Sequence, residues 1–128
     1  MRISDVRLRQ VTGRMPFEGE FWEERLIRPV DLYPIFRAMG PELLPKAGDG
    51  AYRIETFFVE IESDEGAIGI GGPIPREQAF VIDLDLRRYL MGADPLANEF
   101  IWDTMYRGSV HGRKGVTMMA ISAVDCAL

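Results

Sequence analysis

The chain has 128 residues, enough for one domain with a modest core. Apolar residues make up 47% and charged residues 27%, a balance that excludes a disordered tail. A net charge of -5 argues against nucleic acid as a partner, and the lone Cys126 excludes an internal disulfide and a cysteine zinc site. The charged start, MRISDVRLRQ, lacks the apolar run of a signal peptide. No stretch approaches the roughly 20 apolar residues of a membrane helix. The expectation is a cytoplasmic protein with no membrane partner.

Taken in order, residues 3–11 alternate, with Val6 and Leu8 set between Asp5, Arg7 and Arg9. That spacing predicts a half-buried strand, which Gly13 is expected to end. Residues 14–50 follow as a long irregular region carrying five prolines. A short helix is predicted over 32–39. The region also holds Phe17, Phe21, Trp22, Tyr33 and Phe36, so it is expected to pack rather than float. Residues 52–62, YRIETFFVEIE, are rich in aromatic and β-branched types and predict a second strand. Ser63-Asp64-Glu65-Gly66 predicts a turn, and 67–71 the return strand.

Pro75 is expected to open a helix that Gly92 ends. Asp94 is expected to cap a second helix running to Arg107. Residues 109–115 connect to a final helix. That helix carries Val116, Met119, Ala120, Ala123 and Ala127 on one side and Met118, Ile121, Val124 and Leu128 elsewhere. A helix apolar nearly all round is expected to be buried on several sides, with Cys126 as a core thiol. No cap or proline stops it, so the chain is expected to be cut inside an element. The predicted fold is α+β: a three-stranded antiparallel meander followed by a small three-helix bundle.

The chemistry-bearing residues are few. Gly69-Ile70-Gly71-Gly72 lacks the third glycine of a nucleotide loop, since Ile74 stands there, and Pro73 precludes a helix opening on the glycines. Close backbone packing in an edge strand accounts for them better. His111 is the sole histidine and has no nucleophile elbow to serve, so it reads as a loop residue. Glu60 with Glu62, on one strand face, reads as a solvated pair rather than a metal site. Asp83 and Arg87 read as a surface i,i+4 pair. Arg113-Lys114 near a helix start opposes the helix dipole and is open to an anion, a partner carboxylate or solvent. The loop from Phe21 to Pro29 mixes aromatics, carboxylates and arginines. It is read evenly as a carboxylate-recognising loop or as a surface loop with internal ion pairs.

Three stretches carry a resemblance: FFVEIESDEG (57–66) with Gly69, then LMGADP (90–95) with IWDTMYR (101–107), and AISAVDCAL (120–128). In this order they resemble the N-terminal capping domain of the enolase superfamily, in its mandelate racemase and muconate lactonizing enzyme branch. The loop over 22–29 and the run HGRKG (111–115) are most similar to acid-sugar dehydratases of the rhamnonate dehydratase kind. A loop histidine of that group is replaced here by Leu26 or a neighbour.

The resemblance implies that residues 1–128 form a cap whose (β/α)8 barrel lies outside this chain. The barrel would abstract the proton beside a substrate carboxylate. Magnesium on barrel carboxylates would stabilise the enediolate. The cap would bind no metal and hold no catalytic residue. Its loop would close the barrel mouth and select substrate, with Trp22, Arg25, Arg28 and Lys46 as specificity residues and Tyr33 as an apolar wall. The implied partners are the barrel, a small acid sugar and further copies in a homo-oligomer. Two alternatives stay open: the cap of a racemase or cycloisomerase, and a stand-alone binding module.

Overall fold

A computed structural model describes residues 1–19, 27–39, 44–48 and 50–128. The chain divides into two compact units, Met1–Val11 with Thr56–Leu128, and Thr12–Glu55. Three strands, β1 (Ile3–Pro16), β2 (Ala51–Ser63) and β3 (Ile68–Ile74), form one antiparallel sheet in the order β1-β2-β3. This is the predicted meander. β1 runs past Gly13, which keeps a negative φ and so has no reason to stop a strand. β3 reaches Ile74, three residues beyond the expected end.

In the first unit the β2–β3 hairpin turns at Gly66, whose φ of +85° is the left-handed conformation expected of it. The register pairs Val59 with Gly71 and Ile61 with Gly69. Behind the hairpin come α2 (Arg76–Val81), a π-helical segment (Ile82–Leu86), α3 (Arg87–Leu90), α4 (Asn98–Gly108) and α5 (Val116–Asp125). Helix α2 begins one residue later than predicted, with Pro75 as its N-cap. The helix predicted to open at Pro75 is interrupted by a π turn. Ala79, Ile82, Leu86 and Leu90 all face the core.

Asp94 does not cap a helix. Its Oδ1 accepts the Leu96 N–H in a local turn at 3.1 Å. Helix α4 starts four residues later, where Asn98 Oδ1 accepts the Glu99 N–H at 2.8 Å. An Asp-Pro pair supports a turn as well as a helix start, and here the turn prevails.

The core gathers Ile3, Val6, Val59, Ile61 and Ile74 from the sheet. The helices add Ile82, Leu86, Leu90, Ile101, Met105, Ile121 and Val124. Helix α5 lies against β3 at backbone distance. A Cβ at Gly69 would overlap the Ala127 carbonyl, and one at Gly71 the Ala123 carbonyl. The paired small residues let strand and helix meet, as the edge-strand glycines predicted. Only one side of α5 is covered among the described residues. Val116, Met119, Ser122 and Cys126 are exposed, so Cys126 is not the core thiol expected of it.

Candidate functional site

Two places in the second unit hold the sequence-derived candidates that fall within the described residues. Trp22 and Arg25 lie outside those residues, as does Leu26.

The first place is a 3-10 turn (Pro29–Leu32) leading into α1 (Pro34–Met39). Proline fixes φ at the first position of the turn, where its missing N–H costs nothing. Asp31 is 8% exposed and sits at the centre. Its carboxylate accepts the Arg28 backbone N–H at 2.8 Å and the Arg28 guanidinium at 3.1 and 2.6 Å. The same guanidinium reaches the Phe36 carbonyl at 2.8 Å, and Arg37 Nε donates to the Asp31 carbonyl at 3.0 Å. Hydrogen bonds from Arg28 hold the Asp31 carboxyl below its ordinary value. Arg28 is therefore committed within the loop, which is the internal-ion-pair reading. Tyr33 is exposed and meets Phe36 edge to face, 6.4 Å between ring centres. Around this knot Ile27, Leu32, Tyr33, Ile35 and Met39 are each more than half exposed. Exposed apolar clusters of this kind mark contact surfaces.

The second place is a hollow of about 110 Å³ lined by Phe17, Gly19, Lys46, Gly48, Gly50, Ala51 and Tyr52. Tyr52 is buried, its hydroxyl donating to the Gly19 carbonyl at 2.9 Å and its ring meeting Phe17 edge to face at 6.3 Å. Lys46 bridges to Tyr52 through the backbone and is itself exposed on the rim. Arg28 and Tyr33 thus share one module, while Lys46 belongs to a different hollow. No hydrogen bond or ring contact among the described residues joins them.

Asp31, Phe36, Arg37, Phe17 and Tyr52 were missed as site components. Asp31 had a signal: an acid three residues after Arg28, with proline between, is the spacing of a reciprocal cap. Tyr52 had none, because its role depends on Gly19, 33 residues away.

Elsewhere the carboxylate pair of β2 is not merely solvated. Glu60 accepts from Arg9 at 2.9 Å and Arg7 at 3.3 Å, and Arg7 reaches Glu62 and Asp5. Hydrogen bonding from Arg9, then from Arg7, keeps the Glu60 carboxyl below its ordinary range. Asp83 and Arg87 form the predicted pair at 2.8 Å. Arg113 lies 4.8 Å over the Tyr106 ring, which is itself stacked on Trp102, so aromatic faces take up part of its charge. His111 is an exposed loop residue. Among the described residues no three His, Cys, Asp or Glu side chains converge as metal ligands, and no helix is long and apolar enough to cross a membrane.

Residues 51–128 match the mandelate racemase / muconate lactonizing enzyme N-terminal domain family. The chain belongs to that family. The whole of it aligns, at 33% identity, with L-rhamnonate dehydratase from Saccharopolyspora erythraea, covering 33% of that protein. The crystal structure of L-rhamnonate dehydratase from Gibberella zeae superimposes with a TM-score of 0.67 at 24% identity, over 97% of this chain and 29% of that one, which is a likeness of fold. A racemase from Streptomyces coelicolor with bound magnesium matches 57% of this chain and 24% of its own, at 39% identity and TM-score 0.53. The chain spans about a third of the length of the curated relatives it matches. It is an enolase-superfamily N-terminal domain related to rhamnonate dehydratases and racemases, as its three motif stretches implied.

Proposed function

We propose that this domain caps and helps select substrate for an acid-sugar dehydratase whose barrel is encoded beyond residue 128. The observation that carries the reading is the end-to-end alignment with an L-rhamnonate dehydratase. It includes the long loop over 14–50 as well as the more general family segment.

Two features of the second unit support this reading. The Arg28–Asp31 knot holds the turn and α1 in one shape, so their exposed apolar side chains are presented without ordering cost on closure. Laid over a barrel mouth, that face would exclude water from the reacting carbons. Lys46, exposed on the rim of the Tyr52 hollow, is the described cation assigned in this reading to an acid sugar's carboxylate. Trp22 and Arg25 complete the specificity set as proposals from the sequence.

Magnesium enters through the solved relatives that contain it. Among the described residues no three ligand-type side chains converge to hold it, and Glu60, Glu62 and Asp31 are engaged by arginines. The metal would belong to the barrel.

The test is a screen of sugar acids with the full-length protein, with magnesium and after chelation. The expected result is magnesium-dependent formation of a 2-keto product. The racemase relative favours a second reading. Exchange of the α-proton without any keto product would establish that reading and remove the dehydratase. An expressed product of only 14.5 kDa, the mass of this chain, would remove both and leave a stand-alone binding module.

A further inference from the structure

The helical run over 76–90 in the first unit presents two stripes. Gln78, Ile82, Leu86 and Leu90 recur every four residues and are buried. The π segment sets that repeat, which is slightly longer than the α-helical turn. On the opposite side Phe80, Leu84 and Arg88 recur with the same period and face solvent. Phe80 is 65% and Leu84 60% exposed, an apolar pair set one turn apart. Glu77 stands one turn before Phe80 and is exposed too. The outward stripe therefore reads acid, Phe, Leu, base. Glu77 has no ion pair among the described residues. The Arg88 guanidinium lies 4.7 Å over the Tyr89 ring, and no described carboxylate reaches it. Asp83 and Asp85 flank the stripe, and Arg87 neutralises Asp83 at 2.8 Å.

We propose that this stripe is an interface with a second copy of the chain, the two helical runs lying antiparallel. The pattern is complementary to itself when turned end for end. About a two-fold axis near Ile82, Glu77 meets the partner's Arg88 and Phe80 meets the partner's Leu84. The axis makes each contact twice, so two apolar and two charged contacts follow from four side chains. The order of the charges selects this occupant. A partner recognised by its apolar surface alone would need only Phe80 and Leu84, whereas opposite charges at the two ends fit a reversed copy. A parallel pairing would set Glu77 on the partner's Glu77, and like charges across an interface are disfavoured. The inference does not rest on the proposed function.

The test weighs the full-length protein by light scattering during gel filtration at micromolar concentration, with circular dichroism to confirm that each variant is folded. The wild type is expected to have at least twice the mass of one chain. L84D, a surface change, is expected to lower that mass by half or more. E77R and R88E each set like charges against the partner's and are expected to do the same singly. Mixed together, the two variants are expected to re-associate one to one, because the mixed pair restores opposite charges at both ends. A wild type with the mass of one chain at every concentration overturns the proposal. A folded L84D of unchanged mass overturns it as well, and would mean that the full-length chain or another surface covers Leu84. Single charge variants that still associate, or a mixture that does not, exclude the antiparallel pairing and overturn it too. The sugar-acid screen is read separately, so turnover by a protein that fails these tests defeats this inference and leaves the function standing.

Discussion

Arg28 shows how far a single residue can be read before its neighbours are known. An arginine in an aromatic-rich loop fits a substrate carboxylate, and nothing in its type says otherwise. What decides is a partner three residues on. Asp31 takes both the backbone N–H and the guanidinium of Arg28. Glu60 is a similar case, its strand-face position legible but its arginine partners on β1 visible only once the strands are adjacent. Both carboxyls are held below their ordinary values, 3.8 for Asp31 and 4.5 for Glu60, by hydrogen bonds from arginines. A depressed folded-state pKa contributes stability that is complete above the unfolded value and lost as pH falls through the folded one. Stability should therefore be flat in this respect near neutrality and decline from about pH 4.5 downward. Glu60→Gln should flatten part of that decline while lowering the near-neutral plateau only slightly, as expected of a surface pair. Urea midpoints measured from pH 3 to pH 7 check this. Identical slopes in variant and wild type would remove Glu60 from the account.

At the scale of elements, types were legible and boundaries were not. The strands, the turn at Gly66 and the three helices follow from periodicity and punctuation, which local physics dictates. The start of α4 was misplaced because Asp94-Pro95 satisfies two local rules at once. The π segment left no sequence trace, since Ile82, Leu86 and Leu90 keep ordinary four-residue spacing. The glycines of β3 were better signals. Gly69 and Gly71 share one face, where Ala127 in the turn after α5 and Ala123 of α5 meet them. Gly71→Ala should drive a methyl into the Ala123 carbonyl and the Val59 side chain. Backbone on one side and a fully buried valine on the other leave little room to relax. The expected loss is about 1–3 kcal/mol, the usual cost of overpacking, or somewhat more. The urea midpoint should fall with an unchanged m-value. Gly13→Ala, which meets nothing within 4 Å, is the control and should change stability little.

Across the whole molecule the buried side chains are unevenly shared. Among the described residues the unit Thr12–Glu55 buries Asp31, Ala51 and Tyr52, and the other unit buries all the rest. The sequence hinted at this, because residues 14–50 lack any sustained apolar period while 52–128 are periodic throughout. Burial sets local stability more than secondary-structure type does, so the two units should open at different free energies. In the 3-10 turn and α1, the Tyr33, Phe36 and Arg37 amides donate to nearby carbonyls in a segment whose buried anchor is one carboxylate. Amides of β2 paired to β3, and those of α5 over Ala120 to Val124, sit on the main core. Hydrogen exchange on the full-length protein should show protection at Val59, Ile61 and Ile121 exceeding that of Phe36 and Arg37 by several orders of magnitude. Asp31→Asn should lower protection at Phe36 and Arg37 further and leave the core amides unchanged. Uniform protection across both units would mean that they open together. The turn and α1 would then be as rigid as the core, and the proposed closure over a barrel mouth could not be an independent local motion.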